Sequence, residues 1–191
     1  LRHQPAFHRF HQAHLQFAGG APVSRTGFIV KQVLVVCTAN ICRSPMAMGL
    51  LRQRIAADGL EEEIIVHSAG VYGLDGQPAS QPGVELLAER AVDISEHRAH
   101  TISAADMEAA DLVLVMEESH RRTLFHTYPH LLYKVFLFSE MAGDYHDIRD
   151  PYRQPREAYE ACVADLGNLL ERGYPAILRR LRVESRLLLT K

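Results

Sequence analysis

Cys37 and Arg43 are separated by five residues in the run Cys37-Thr38-Ala39-Asn40-Ile41-Cys42-Arg43-Ser44-Pro45. A loop of that length can curl until its backbone N–H groups converge, and such a nest binds an anion. A helix starting at its far end adds partial positive charge at the same spot. The same field favours a thiolate, because cysteines at helix N-termini or beside cations have pKa values of roughly 3.5–7.5. Arg43 supplies a planar fork that matches two phosphate oxygens. Ser44 is placed to hydrogen-bond the sulfur and help it leave. Thr38, Ala39, Asn40, Ile41, Cys42 and Ser44 then line the anion, with Cys37 as nucleophile and Arg43 as clamp. That combination is suited to attack on a phosphoester.

Such a reaction also needs an acid for the leaving group. Asp150-Pro151-Tyr152 is the candidate, since Pro151 restricts Asp150 to an extended backbone that presents its side chain. Asp144 and Asp147 are nearby rivals without a stiffening proline, and are expected to be solvated loop charges. A cysteine and an arginine at this spacing also occur by chance, so the surrounding elements must decide.

Those elements alternate. Val33-Leu34-Val35-Val36 reads as a buried parallel strand. Pro45 then opens a helix over Met46 to Ala57, ended by Gly59. Ile64-Ile65-Val66 is a second strand, Pro82 to Arg90 a helix, Asp111 to Met116 a third strand, and Glu117 to Phe125 a short helix. Lys134 to Phe138 is a fourth strand, and Pro155 to about Leu181 a long helix with Ala158, Cys162, Leu166, Leu169 and Leu170 on one stripe. The pattern predicts an α/β fold: a single domain with a four-stranded parallel sheet, helices on both faces and the anion loop after strand one. Ligands in such sheets bind beyond the carboxyl ends of the strands.

With 191 residues, 47% of them apolar, the chain can bury one substantial core. A net charge of −2 gives no broad attraction to nucleic acid or membrane, so an anion needs a local device. Three cysteines (Cys37, Cys42, Cys162) are too few for a disulfide scaffold. No apolar run is long enough for membrane insertion, and the first residues show no secretory pattern. A reducing, cytoplasmic setting is therefore expected. Residues 1–30 carry His3, His8, His11 and His14 and read as a mobile extension. His8 and His11 could share a helical face and hold a metal, but a solvated tail is the preferred reading. Residues 31–182 form the catalytic domain, and residues 183–191 a tail.

From about Lys31 to Leu181 the sequence resembles the low-molecular-weight protein tyrosine phosphatases. The Cys37–Pro45 loop, His67-Ser68-Ala69-Gly70, Ser95-Glu96-His97-Arg98-Ala99 and Asp150-Pro151-Tyr152 carry the resemblance. It implies hydrolysis of phosphotyrosine through a phosphocysteine intermediate, with no metal or organic cofactor. It further implies that Asn40 holds the loop in a strained shape, supported by Ser68 and His97; asparagine tolerates the left-handed region better than most residues. Ala39 replaces the family's usual glycine, which should restrict the loop slightly. Val71-Tyr72-Gly73-Leu74, Lys134 to Phe138 and Asp150 to Arg153 look like the bacterial branch tied to capsule and exopolysaccharide production. The implied partner is a phosphotyrosine protein, an autophosphorylated tyrosine kinase, with Leu74 and Tyr152 flanking the phenyl ring. The oligomeric state is left open, as is a protective Cys37–Cys42 disulfide.

Protein-arginine phosphatases are the nearest rival, but that branch carries threonine where this chain has Ile41. Arsenate reductases need further relay cysteines, and Cys162 alone follows Cys42. A non-catalytic phosphate-binding module would need neither Cys37 nor Asp150.

Overall fold

The computed structural model describes residues 29–183. Apart from residues 29, 30 and 183, the expected extension and tail lie outside the described residues, as does the His8–His11 pair. Four strands, β1 (Lys31–Cys37), β2 (Ile64–Gly70), β3 (Leu112–Val115) and β4 (Val135–Leu137), form one sheet in the order β2-β1-β3-β4, with every pairing parallel. Five helices connect and cover it: α1 (Arg43–Ala57), α2 (Gln81–Ala88), α3 (Ala104–Ala109), α4 (Glu118–Thr127) and α5 (Arg156–Leu181).

The consecutive apolar run in β1 has a direct cause. Val33 and Val35 face one side with Leu112 and Leu114, packing on α1 and α5 through residues such as Met46, Leu51, Leu166 and Leu170. Leu34 and Val36 face the other side with Val113 and Val115, against Met107 of α3 and Leu124 of α4. Both faces of the sheet are dry, so polar alternation would be costly in either direction. Each fully buried aliphatic side chain here contributes about 2 kcal/mol of transfer free energy.

Several boundaries differ from expectation. Helix α1 begins at Arg43 rather than Met46, because the Cys42 carbonyl already accepts from Met46 N at 3.2 Å. Pro45 is tolerated inside this first turn, where its missing N–H has no helical partner to lose. The early start puts Arg43 on the helix itself. Helix α3 has no counterpart in the sequence pattern, because it is too short to show an apolar period. Its signal is the capping box, in which Ser103 Oγ accepts from Asp106 N and the Asp106 carboxylate accepts from Ser103 N. Strand β4 is shorter than Lys134 to Phe138. Pro129–Lys134 is a 3₁₀ segment, and Lys134 turns inward to donate to the Ala110 carbonyl at 2.6 Å. Helix α5 runs through Pro175 unbroken, with Tyr174 buried beneath the Arg54 guanidinium at 4.5 Å.

The order β2-β1-β3 sets the loops after these three strands side by side at one edge. Residues 38–42 follow β1, 71–80 follow β2 and 116–117 follow β3. No helix among the described residues is long and apolar enough to cross a membrane.

Candidate active site

The loop after β1 is held from outside by its carbonyls. The carbonyls of Cys37, Thr38, Ala39 and Ile41 accept from the amides of Val71, Tyr72, Leu74 and Ser80 at 2.9, 2.9, 3.1 and 2.7 Å. The Asn40 carbonyl accepts from His97 Nε2 at 2.8 Å. With the carbonyls drawn outward, the amides point the other way. Among the described residues, the N–H groups of Ala39, Asn40, Ile41, Cys42 and Arg43 donate to no protein acceptor. A ring of convergent, unspent donors beside the start of α1 is an anion cradle.

Asn40 is the keystone of this shape. Its φ of 59° places it in the left-handed region. Its Nδ2 donates to Ser44 Oγ and to Ser68 Oγ, both at 2.9 Å, and its Oδ1 accepts from His100 N at 3.0 Å. Ser68, His97 and the His100 amide therefore all bond Asn40. Burial lowers the pKa of His97, which favours the neutral ring that donates to the Asn40 carbonyl. Ala39 is not among the positive-φ residues, so the missing glycine costs this loop little.

Gly70 is required by close approach. A Cβ there would lie 2.6 Å from the Thr38 carbonyl oxygen and 3.0 Å from the Ala39 carbonyl carbon. Gly70→Ala must therefore push the loop off its amide contacts. The expected result is a loss of roughly tenfold or more in phosphate affinity, as for other displacements of reacting geometry, with a lowered melting temperature. Calorimetric titration of inorganic phosphate checks it, and unchanged binding would show that the loop tolerates the shift.

Cys37 is buried, with its Sγ 3.0 Å from Ser44 Oγ. Ser44 accepts from Asn40, and its own hydroxyl proton has two acceptors to choose from, the sulfur at 3.0 Å and the more distant Ala69 carbonyl at 3.5 Å. Arg43, only 1% exposed, is held on every side. Its Nη1 donates to Glu117 and, at 2.8 Å, to the Ile148 carbonyl; its Nη2 donates to Asp150 Oδ2 at 2.7 Å and to Thr38 Oγ1 at 3.3 Å. Its Nε is buried and unmatched. Burial works against the guanidinium charge, but Glu117, Asp150 and Cys37 outweigh it and raise the pKa above its ordinary value. Burial likewise opposes ionisation of Glu117, and the Arg43 hydrogen bond reverses that, lowering its pKa.

The structure thus brings Cys37, Arg43 and Asp150 to one place. Asp150 Oδ1 accepts from Tyr152 N at 3.1 Å, and Asp150 and Tyr152 are half exposed beside the loop. Leu74 is 44% exposed, so it is a rim residue and not a core leucine. The rivals of Asp150 are not simply solvated. Asp147 accepts from Glu118 N at 2.8 Å, supplying the cap that Glu117 does not give α4, and Asp144 pairs with Arg172. Cys42 is buried 3.5 Å from Tyr159 Oη, and burial raises its pKa. Cys162 is buried in α5, with its pKa pushed up to about 12.

Two residues of this site were missed in the sequence. Glu117 and His120 sit at the start of α4, where they meet Arg43 and Thr38. Their one sequence signal is position: Glu117 directly follows the apolar run Leu112 to Met116, at the carboxyl end of a strand.

Both the sequence and the fold match known proteins. The family model described as low molecular weight phosphotyrosine protein phosphatase matches residues 32–186. A curated relative from Ralstonia solanacearum, the low molecular weight protein-tyrosine-phosphatase EpsP, is 40% identical over 154 residues, covering 81% of this chain and 98% of its own. The crystal structure of a low molecular weight protein tyrosine phosphatase from T. tengcongensis aligns with a TM-score of 0.72 at 40% identity, over 76% of this chain and 99% of that one. The arginine phosphatase YwlE from Geobacillus stearothermophilus aligns with a TM-score of 0.71 at 29% identity, over 81% of this chain and 97% of that one. By the span of that match and by the fold that carries its loop, this chain belongs to the low molecular weight phosphotyrosine protein phosphatase family.

Proposed function

We propose that the protein hydrolyses phosphotyrosine in a protein partner, with Cys37 as nucleophile, Arg43 as phosphate clamp and Asp150 as general acid and base. The observation that carries this reading is the run of loop amides after Cys37 left without acceptors among the described residues, beside the unmatched Nε of Arg43. The Cys37 thiolate attacks phosphorus in line, and the bond to the phenolic oxygen breaks. Loop amides and the Arg43 guanidinium, through its unmatched Nε, hold the equatorial oxygens, where charge resides in a loose transition state. Asp150 gives its proton to the departing oxygen. In the second half, Asp150 takes a proton from water, the water oxygen attacks phosphorus, and phosphate leaves as the thiolate is restored. The Ser44 hydroxyl stabilises that thiolate in both halves.

Leu74, whose amide bonds the Ala39 carbonyl, and Tyr152, whose amide bonds Asp150, are both exposed next to reacting groups and are suited to sandwich a phenyl ring. Relatives named as tyrosine phosphatases support tyrosine as the phosphorylated residue, and the resemblance to the exopolysaccharide branch supports an autophosphorylated tyrosine kinase as the partner. The similarity to an arginine phosphatase makes phosphoarginine the competing substrate. Ile41 favours tyrosine: it is a partly buried hydrophobic residue packed on the core and offers no hydroxyl.

The test compares phosphotyrosine, phosphoarginine and phosphoserine peptides with reduced enzyme. Phosphotyrosine is expected to turn over fastest. Asp150→Asn should lower kcat by roughly 10²-fold, in the range for a removed general acid. The loss should shrink for aryl phosphates whose leaving group needs no proton. A preference for phosphoarginine, or an Asp150→Asn loss independent of the leaving group, would overturn the corresponding assignment.

A further inference from the structure

The Thr38 side chain has no part in the mechanism above, yet it is bonded from two sides. Its Oγ1 lies 2.9 Å from His120 Nε2 and 3.3 Å from Arg43 Nη2. Arginine can only donate, so one lone pair of Oγ1 is filled. The direction of the histidine bond decides the other. His120 is 2% exposed, and its Nδ1 is buried with no hydrogen-bond partner among the described residues. If the ring proton sat on Nδ1, a buried N–H would be stranded. If it sits on Nε2, the ring donates to Thr38 and leaves only a lone pair unmatched. Orphaned buried N–H groups are the rarer of the two in folded proteins.

The ring is also neutral. Burial pushes its pKa down to about 4. The groups that face it are Glu117, Asp147 and Asp150, which favour protonation, and Arg43, which opposes it. A neutral ring protonated on Nε2 fills the second lone pair of Thr38. The hydroxyl proton of Thr38 is then the one part of that group still to be used. It sits on the residue after Cys37, in a loop whose amides already converge on an anion.

We infer that Thr38 is a further phosphate-contacting residue, donating its hydroxyl proton to a phosphoryl oxygen, and that His120 is the positioning residue that keeps this hydroxyl a donor. The inference rests on the phosphatase reading of the loop and adds one side-chain donor to its backbone ring. Glu117 and His120 then act as a pair from the start of α4: one aims the arginine, the other aims the threonine.

The experiment reads phosphate binding apart from turnover. Inorganic phosphate is titrated calorimetrically into wild type, Thr38→Val, Thr38→Ser, His120→Gln and His120→Phe, and kcat/KM for an aryl phosphate is measured on each. Thr38→Val keeps the side chain's shape and removes the proton. It is expected to weaken phosphate binding and kcat/KM by roughly tenfold, the scale of one hydrogen bond to a charged group. Thr38→Ser should recover most of the loss. His120→Gln, which retains an N–H near the Nε2 position, should stay nearer to wild type than His120→Phe. Nitrogen chemical shifts of His120 in the wild-type protein should report the proton on Nε2. Phosphate affinity and kcat/KM unchanged in Thr38→Val, or a proton found on Nδ1, would overturn the inference. A wild-type protein that binds phosphate but does not hydrolyse phosphotyrosine would overturn the proposed function instead, and the Thr38 variants would still decide this point through binding.

Discussion

Cys37→Ser is expected to abolish turnover while leaving phosphate binding within a few-fold of wild type. The substitution exchanges a thiol for a hydroxyl at a buried position beside Ser44, so shape and hydrogen bonding are nearly preserved. What changes is nucleophilicity. A serine hydroxyl needs a neighbouring base to attack at neutral pH. The imidazoles nearest the loop are committed elsewhere: His97 to the Asn40 carbonyl and His120 to Thr38. With both imidazoles engaged, and Asp150 required in its protonated form for the leaving group in this half-reaction, kcat/KM should fall by roughly 10⁴-fold or more, the scale on which removal of a nucleophile is felt. In wild type, rapid acid quenching during turnover should trap phosphate on Cys37, visible as added mass on the peptide that carries it. Substantial turnover by the serine variant, or no phosphorylated Cys37 in the quenched wild type, would contradict a covalent mechanism.

The second large effect is expected from Arg43→Lys. The charge is kept, so the Glu117 and Asp150 carboxylates are not left facing an apolar hole. The geometry is lost. Arg43 makes four hydrogen bonds, to Glu117, the Ile148 carbonyl, Thr38 and Asp150, and its planar fork directs them. An ammonium has three donors on one atom and cannot span those partners. It also has no counterpart of the Nε–H that Arg43 keeps unspent for the phosphate. A loss of roughly 10³-fold in kcat/KM is expected, toward the lower end of what an arginine contributes in phosphoryl transfer. Because the bond to the Ile148 carbonyl anchors the segment that carries Asp150, stability should also fall, by about 1–2 kcal/mol. Steady-state kinetics with a denaturant melt separates the two effects. Activity within tenfold of wild type would mean that the guanidinium fork does not hold the phosphate.

In this structure Arg43 joins the two halves of the proposed chemistry. It bonds the candidate acid directly and, through the Ile148 carbonyl, the segment that presents that acid. Glu117 accepts from Nη1 as well, so both ends of the guanidinium are held before any substrate arrives. Preorganisation of this kind is where electrostatic catalysis finds most of its advantage, since dipoles already in place need no reorganisation during the reaction.

Much of this protein is readable from local sequence. The run from Cys37 to Pro45 between an apolar strand and a helix, the stiffened Asp150-Pro151, and the alternation of strands and helices depend on neighbours along the chain. Backbone sterics, periodicity and spacing act at that range. Asn40 belongs to the same class, because the left-handed conformation is a property of the residue itself. The rest depended on which strands became neighbours. Alternation implies a parallel sheet but not the order β2-β1-β3-β4. Only that order sets the end of β3 against the loop after β1, so that Glu117 reaches Arg43 and His120 reaches Thr38 across sequence separations of 74 and 82. The role of Asp147 is hidden for the same reason: a loop aspartate becomes a helix cap only when a distant helix start is folded against it. A side chain's partners at such separations are chosen by the packing of the two buried faces of the sheet, a global balance of apolar burial that no local spacing encodes.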